Sequence, residues 1–362
     1  MTKQQNIVDF MVVGQGLAGS ILAWHLMRNG ISILVIDDQH KDASSVVAAG
    51  IINPITGHRI NVTDGMDRFL PDALSLYHAM EKQFKTSLIH ALPQLRLIKK
   101  QGQLDYWQQR QQQASHQPYL GELHEHHDAF SESAFGIAEI KQTYRVSTEK
   151  LLRHCREWLI EQNALYNQRF DYQTLEVNES GVKYKDVHAK GVIFCEGFQA
   201  IHNPWWKHLP FKLAKGEIIT LKSDDLPHAM LNWGSWLLPI SEPMPEPMFK
   251  QRVSSTQHYK LGSNYAWNNL DLTPNQQVKE HLLTSMHSKV SAQASVLDHQ
   301  VGVRPTTLHR QAFVGGNSQQ QRLFCFNGFG SKGCLTIPYH ANLLTQHIVN
   351  GVALPVALTQ YL

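Results

Sequence analysis

Three glycines near the start of the chain have the spacing that a dinucleotide-binding turn requires. Gly14, Gly16 and Gly19 follow the apolar run 10–13 and fit the pattern G-x-G-x-x-G. The first glycine allows a tight turn, the second lets a pyrophosphate approach the backbone, and the third lets helix and strand pack closely. A helix that begins here offers free N–H groups and a partial positive charge to phosphates. The spacing therefore predicts a dinucleotide site.

An acidic pair closes the next apolar run. Residues 21–28 have the pattern of a helix, residues 33–36 have that of a second buried strand, and Asp37 and Asp38 follow directly. A carboxylate at this place can accept hydrogen bonds from both hydroxyls of an adenosine ribose. We therefore expect Asp37 to hold the adenosine half of the dinucleotide.

A segment after the second predicted strand favours a flavin dinucleotide over a nicotinamide one. Ser44 and Ser45 can hydrogen-bond a phosphate, and the small residues Ala48, Ala49 and Gly50 can lie flat along an extended cofactor. This segment therefore predicts contacts beyond the pyrophosphate.

The chain carries another glycine-rich turn near its end. Residues 326–338 have the pattern of a strand, a turn and a helix start, with Pro338 expected in the first turn of that helix. A helix N-terminus aimed at the N1/O2 edge of an isoalloxazine would stabilise negative charge on reduced flavin. Glycine loops at both ends of the chain suit a long cofactor, so we expect FAD.

The composition argues against nucleic acid, membranes and metals as partners of this chain. The 362 residues include 33 basic and 30 acidic side chains, a balance that does not favour nucleic acid or an anionic membrane as the main partner. The four cysteines form no C-x-x-C pair, and no stretch is apolar enough to span a membrane. We expect no metal, no membrane span and a cytoplasmic location, and the sequence leaves the oligomeric state open.

Blocks of two kinds alternate along the chain. Residues 1–85, 145–204 and 295–362 have the strand–turn–helix character of a nucleotide-binding domain. Residues 86–144 and 205–294 contain most of the tryptophans and more sheet-like patterns. We expect an α/β fold class (α+β overall), with a Rossmann-like FAD-binding domain interrupted by a β-rich substrate-binding domain.

Together these motifs resemble the D-amino-acid oxidase, glycine oxidase and sarcosine oxidase family of FAD-dependent oxidoreductases. The resemblance covers nearly the whole chain and rests on residues 14–19, 44–50, 195–197, 301–305 and 327–333. It implies a two-domain enzyme that oxidises the C–N bond of a small amine or amino acid by hydride transfer to flavin N5, giving an imine that hydrolyses. It also implies non-covalent FAD, and oxygen or a quinone as electron acceptor.

The resemblance also assigns roles to three cationic residues, which we expect to be the catalytic ones. Arg304, in a Gly-x-Arg-Pro sequence, matches an arginine that forks around the substrate carboxylate. Lys332 matches, to within a residue, a lysine that helps bind this carboxylate in sarcosine oxidases, and Lys260 matches one that promotes reaction with oxygen. For both lysines a solvated or structural role is an open alternative. The arginines that follow the second strand in sarcosine oxidases are missing here, which argues against sarcosine as the substrate.

The motifs and the resemblance predict one set of cofactor-binding residues. It comprises Gly14, Gly16, Leu17, Ala18, Gly19, Asp37, Asp38, Ser44, Ser45, Ala48, Ala49, Gly50, Glu196, Gly197, Arg304, Gly328, Phe329, Gly330, Ser331, Lys332 and Gly333. Three other functions stay open: a flavin enzyme acting on a modified wobble uridine of tRNA, a non-catalytic flavin-binding protein, and an NAD-dependent dehydrogenase. The sequence does not identify the particular amine or its stereochemistry.

Overall fold

The computed structural model describes residues 6–39, 43–131, 133, 135–241, 257–290 and 292–362. The helices in these ranges are α1 (Leu17–Arg28), α2 (Ser44–Val47), α3 (Met66–Phe84), α4 (Gln101–Gln111), α5 (Thr148–Glu161), α6 (Gln276–His287), α7 (Gly333–Asn350) and α8 (Val356–Thr359). Within the described ranges, no helix is both long and apolar enough to cross a bilayer.

Strands form two large sheets and two small ones. They are β1 (Asn6–Val13), β2 (Ile33–Asp37), β3 (Ile51–Ile52), β4 (Ile55–Thr56), β5 (Asn61–Val62), β6 (Ile89–Ala91), β7 (Gln94–Leu97), β8 (Leu120–His124), β9 (Ile137–Ile140), β10 (Tyr144–Val146), β11 (Leu165–Asn167), β12 (Leu175–Asn178), β13 (Gly181–Tyr184), β14 (Val187–Phe194), β15 (Ala214–Ser223), β16 (Met230–Asn232), β17 (Trp236–Pro239), β18 (Gln257–Gly262), β19 (Ser295–Arg304), β20 (Phe313–Gly316) and β21 (Leu323–Asn327).

The first large sheet contains the strands that the glycine motifs predicted. Its order is β11-β2-β1-β14-β13-β12, with β21 paired to β14 and β20 paired to β21. The pairs β1–β2, β1–β14, β2–β11 and β14–β21 are parallel. Along β1, Phe10 and Val12 pack into one core, whereas Met11 and Val13 pack into another. Burial on both faces explains why this part of the strand is apolar at every position.

Helices cover one face of the first sheet. α1 packs against α5 and α7, and α7 also packs against α3. Helix α1 begins at Leu17, earlier than the predicted range 21–28, because Ser20 N–H already donates to the Gly16 carbonyl oxygen and closes the first turn. The glycine-rich turn therefore leads directly into the helix.

The second large sheet, of order β19-β15-β18-β17-β16-β7-β9-β8, is mostly antiparallel. Helix α6 covers one face of it, where Leu282 and Met286 pack among the apolar side chains of β15 and β18. β19 pairs with β15 along its length, from Arg304 opposite Ala214 to Ser295 opposite Lys222. The segment Ser295–Arg304 is thus part of the second sheet, although the predicted boundary at residue 295 grouped it with the nucleotide-binding blocks.

A proline lies in the second turn of α7, not in the first turn where the sequence placed it. Pro338 is the sixth residue of this helix, and it cannot donate the hydrogen bond that the Cys334 carbonyl would otherwise receive. The hydroxyl of the fully buried Tyr77, on α3, donates to this carbonyl oxygen at 2.8 Å. A side chain from a neighbouring helix thus replaces the missing backbone donor, so the proline is tolerated further inside α7.

We expect Tyr77→Phe to destabilise the protein by about 1–3 kcal/mol, because it leaves a buried carbonyl without a donor. In a Pro338→Ala background the backbone N–H of residue 338 returns and can satisfy the same oxygen. The cost of Tyr77→Phe should therefore be smaller in that background when both are measured by urea denaturation. Equal costs in the two backgrounds would show that the hydroxyl does not compensate for the proline.

Candidate active site

A cavity between the two large sheets is lined by segments from both ends of the chain. Most of the predicted cofactor-binding residues line it, namely Gly14, Gly16, Leu17, Ala18, Asp37, Asp38, Ser44, Ser45, Ala48, Ala49, Gly50, Glu196, Gly197, Arg304, Phe329, Gly330, Ser331 and Gly333. Of the other predicted residues, Gly19, Gly328, Lys260 and Lys332 are not part of the described lining. The structure therefore brings the separate motifs together around one space.

Two glycines shape the turn at one end of this cavity. Gly14 has a φ of 93°, and a Cβ at this position would stand 2.7 Å from the Cys195 carbonyl oxygen. Gly19 packs so closely that a Cβ there would overlap the carbonyl oxygen of Gly14. These contacts hold the N-terminus of α1 against the end of β14. The helix start therefore faces the cavity, as a pyrophosphate site requires.

Hydroxyl groups stand beside this helix start. Ser44 and Ser45 begin the single turn α2, where the sequence predicted only the exit of a strand. The Ser45 hydroxyl accepts a hydrogen bond from Leu17 N–H at 3.1 Å. A serine hydroxyl that accepts in this way still has its own proton to donate. Ser45 is thus suited to bond a phosphate oxygen at the start of α1.

The carboxylate of Asp37 is oriented by donors from the protein. Its Oδ2 accepts from Gln15 N–H at 2.8 Å and its Oδ1 accepts from Gln39 N–H at 2.9 Å. Arg156 Nη1 donates to the same Oδ1 at 2.8 Å and to Gln15 Oε1 at 2.9 Å. A ribose hydroxyl would therefore share this carboxylate with an arginine, which differs from the expectation of a carboxylate dedicated to the ribose.

No sequence motif indicates the roles of Gln15 and Arg156. Gln15 is fully buried, and its amide donates to Ser20 Oγ and to the Leu152 carbonyl oxygen, each at 3.1 Å. It occupies the unspecified position between two motif glycines, where the pattern does not constrain the residue type. Arg156 lies on α5, outside every motif, so only the folded arrangement reveals its contact with Asp37.

Glu196 contributes a second carboxyl group to the cavity wall. It accepts hydrogen bonds from the Tyr172 hydroxyl at 2.6 Å and from Asn203 Nδ2 at 2.7 Å. Burial raises the pKa of this carboxyl to about 7, although both hydrogen bonds act in the opposite direction. Burial therefore disfavours a negative charge on this wall of the site, which eases the approach of an anionic cofactor.

The start of α7 also forms part of the cavity wall. Gly333 and Cys334, the first residues of this helix, line the space together with Ile337 of the following turn. The positive end of the α7 dipole therefore points at the cavity wall. This arrangement fits the predicted contact with the N1/O2 edge of a flavin.

Arg304 ends β19 and reaches the cavity from the second sheet. Its Nη2 donates to Ser263 Oγ at 2.7 Å, and its Nη1 lies 3.4 Å from the Asn264 carbonyl oxygen. Its Cζ lies 4.4 Å from the centre of the Tyr265 ring, within cation–π range. Burial lowers the pKa of this guanidinium, but an arginine stays charged at any ordinary pH.

A glycine on the neighbouring strand provides the space for this guanidinium. Gly216 lies on β15, and a Cβ there would overlap the guanidinium group of Arg304. Any other residue at this position would push the arginine from its place. The space that the Arg304 guanidinium occupies explains why β15 has a glycine at this position.

Lys260 hydrogen-bonds to the backbone of the segment that lines the cavity. Its Nζ donates to the Val47 carbonyl oxygen at 2.8 Å and to the Ala48 carbonyl oxygen at 3.1 Å. Burial lowers the pKa of this ammonium group to about 8. The lysine thus fixes the backbone of the segment that lines the cavity, and its role in the reaction with oxygen stays a prediction.

Lys332 turns away from the cavity. Its Nζ lies 3.4 Å from Thr63 Oγ1, and its side chain is exposed. Neighbouring residues Ser331 and Gly333 line the cavity through the same loop. The predicted contact of Lys332 with a substrate carboxylate would require this side chain to change direction.

Two thiols stand in the wall and bear on how a flavin is held. Cys195 and Cys334 both line the cavity. Burial raises the pKa of the Cys334 thiol to about 12 and that of Cys195 well above its usual value. Because the thiolate is the reactive form, these groups are inert near neutral pH. Glycine turns, helix N-termini and inert thiols together fit a flavin dinucleotide bound without a covalent link.

We expect Arg156→Met to destabilise the protein by about 3 kcal/mol, because it leaves the carboxylate of Asp37 nearly buried and without its charge partner. The same change should raise the dissociation constant of FAD about tenfold, since the carboxylate expected to bind the ribose loses a donor that orients it. Urea denaturation and flavin fluorescence titration of the apoprotein measure the two effects. Arg153→Met, an exposed position on the same helix, is the control. Equal behaviour of the two variants would contradict the assigned role.

We expect the stability of the wild type relative to Lys260→Met to rise between pH 8 and pH 10.5. The folded protein releases the Lys260 proton at about 8, whereas the unfolded chain keeps it until about 10.5. The unfolded state therefore binds more protons in this window, and folding becomes more favourable as the pH increases. Urea denaturation across the window measures the difference, with Lys222→Met on the exposed side of β15 as the control. A difference that does not change with pH would show that burial of Lys260 does not penalise its charge.

Several known proteins are similar to this chain. The family model of FAD dependent oxidoreductases (DAO) matches residues 9–347. The uncharacterized oxidoreductase YurR of Bacillus subtilis (strain 168) is 23% identical in an alignment of 356 positions that covers 91% of this chain and 92% of YurR. Glycine oxidase from Geobacillus kaustophilus has a TM-score of 0.78 at 16% identity, with 98% of each chain covered. Iminodiacetate oxidase from Chelativorans sp. BNC1 has a TM-score of 0.77 at 19% identity, with 97% of this chain and 98% of the other covered.

The family match extends over both large sheets and both glycine loops. It confirms the predicted fold class, the predicted oxidoreductase activity and FAD as the cofactor. The neighbours at this level of identity show the fold, and the family model shows the class of chemistry. This chain belongs to the DAO family of FAD-dependent oxidoreductases.

Proposed function

We propose that this protein oxidises the C–N bond of a small amine or amino acid that carries a carboxylate. The observation that carries the proposal is the position of Arg304, whose guanidinium lines the same cavity as the glycine loops. A charged guanidinium in a partly buried cavity favours a ligand that brings a negative charge. The planar donors of an arginine match the two oxygens of a carboxylate.

The names of two structural neighbours support this class of substrate. Glycine oxidase and iminodiacetate oxidase are named for compounds that combine an amine with a carboxylate. Because these two proteins are only 16% and 19% identical to this chain, their names support no more than a substrate that combines an amine with a carboxylate. The rest of the substrate stays open.

Side chains around Arg304 limit how the protein can handle such a substrate. Ile218, Trp236 and Tyr265 present mainly apolar surface beside the guanidinium. Among the described residues of the second sheet that line the cavity, none is a carboxylate or a histidine. We infer that the amine reacts in its neutral form, because a proton on the nitrogen would remove the lone pair that assists loss of the hydride.

Positioning is the main task of the protein in this reaction. When bound, FAD supplies the acceptor for the hydride that leaves the carbon next to the nitrogen. Arg304 fixes the substrate carboxylate and thereby holds the neighbouring carbon in place. Loss of the hydride from the neutral amine leaves a protonated imine, which water converts to a carbonyl compound and a protonated amine or ammonium.

We expect Arg304→Ala to weaken binding of carboxylate-bearing amines about a hundredfold while FAD stays bound, because the charge partner of the substrate is lost. Anaerobic addition of an amine panel to the FAD-loaded protein measures this through bleaching of the flavin spectrum. The panel holds glycine, sarcosine, proline, D- and L-amino acids, other N-substituted glycines, and matched amines without the carboxylate.

Two comparisons make this test specific. Arg304→Lys keeps a positive charge but not the forked geometry, so it should restore only part of the affinity. Amines without a carboxylate should be affected little by either variant. If wild type and Arg304→Ala reduce equally well with one carboxylate-bearing substrate, Arg304 is not the carboxylate site. If no amine bleaches the wild-type protein, the proposed reaction is wrong.

A further inference from the structure

Two aromatic side chains beside Arg304 are half exposed, although residues of their size are usually well covered. Tyr265 is 49% exposed and Trp267 is 53% exposed. Their rings stack with centroids 6.1 Å apart and planes inclined by 25°. In the proposed function Tyr265 is part of the cavity wall, whereas Trp267 has no role. A stacked pair that keeps so much apolar surface in contact with water is suited to bind a further planar group.

Backbone pairing holds the two rings on one side of their segment. Ala266, between them, exchanges both backbone hydrogen bonds with Lys215 of β15, at 2.8 and 3.0 Å. Residues on either side of such a bridge point in the same direction, because side chains alternate along an extended chain. The platform formed by Tyr265 and Trp267 is therefore fixed to the strand that also makes room for Arg304.

The platform continues outward from the proposed carboxylate site. Tyr265 lines the cavity and carries the Arg304 guanidinium over its ring, while Trp267 lies one ring further out and is not part of the described lining. Lys212, an exposed side chain, lies 6.0 Å from the centre of the Trp267 ring. A ligand bound to Arg304 by its carboxylate could therefore extend along the rings towards the solvent.

We propose that Tyr265 and Trp267 form a subsite for a planar aromatic group, so that the substrate carries such a ring several bonds from its carboxylate. This proposal rests on the proposed function, because Arg304 anchors the same ligand. The ring of the ligand contacts the exposed surface of the platform, while the amine stays inside the cavity. Neither a glycine-sized substrate nor a short aliphatic one would use this surface.

Dead-end carboxylates test the subsite without any turnover. The FAD-loaded protein is titrated with phenylacetate, phenylpropionate and phenylbutyrate, and with aliphatic carboxylates of the same chain lengths, while the flavin absorption spectrum is followed. We expect at least one aromatic acid to bind about fivefold to tenfold more tightly than its aliphatic counterpart, the gain expected from one aromatic contact.

Variants assign this gain to the platform. Trp267→Leu should remove most of the preference for the aromatic acid and leave the aliphatic acid unaffected, whereas Trp267→Phe should keep part of it. Ile160→Ala, an exposed apolar change on α5, is the control and should leave both affinities unchanged. Since Trp267 is exposed at the surface, these changes are not expected to prevent folding, and the flavin spectrum reports correct assembly.

The outcomes separate this proposal from the one on which it rests. If aliphatic and aromatic acids bind equally to the wild type, or if Trp267→Leu keeps the full preference, the aromatic subsite is wrong while Arg304 can still bind carboxylates. If no carboxylate perturbs the flavin spectrum and Arg304→Ala changes nothing, the carboxylate site itself is wrong. A preference that is present in the wild type and lost only in Trp267→Leu supports the subsite.

Discussion

The helices α1 and α7 both begin at the wall of one cavity, and the site depends on the contact between them. Leu17 starts α1 and Gly333 starts α7, and a Cβ on that glycine would stand 3.8 Å from Leu17 Cδ2. Each helix N-terminus carries a partial positive charge of about half an elementary charge. Two such ends directed at one space repel each other unless an anionic group lies between them. The packing of the two helices is therefore suited to a cofactor that brings an anionic group to this part of the cavity.

Much of this arrangement could be predicted from short segments of sequence. Gly14 and Gly19 occur at fixed spacing because one strand, one turn and one helix must meet within a few residues, and such local geometry is visible in a pattern. The loop around Gly330 is local in the same sense. Boundaries were less accurate, since the start of α1 and the place of Pro338 depend on hydrogen bonds that a pattern does not contain.

Contacts between distant segments could not be predicted in this way. Arg156 reaches Asp37 from another helix, and Lys260 reaches the carbonyl oxygens of Val47 and Ala48 from the second sheet. For Lys260 the resemblance led to the expectation of a role in the reaction with oxygen, with a structural role as the alternative. Its actual partners follow from the register of β18, which no motif encodes. Arg304 could be named from its motif, but the space for its guanidinium comes from Gly216 on the adjacent strand.

The bonds from Lys260 to the cofactor-lining segment also restrict how the molecule can move. They join the second sheet to the FAD-binding region directly, and Ile218 and Leu238 pack against Ala49 beside them. Opening the two halves like a hinge would break both hydrogen bonds and expose this apolar contact to water. The two large sheets are therefore coupled through the wall of the cavity itself, and any opening between them carries the cost of these contacts.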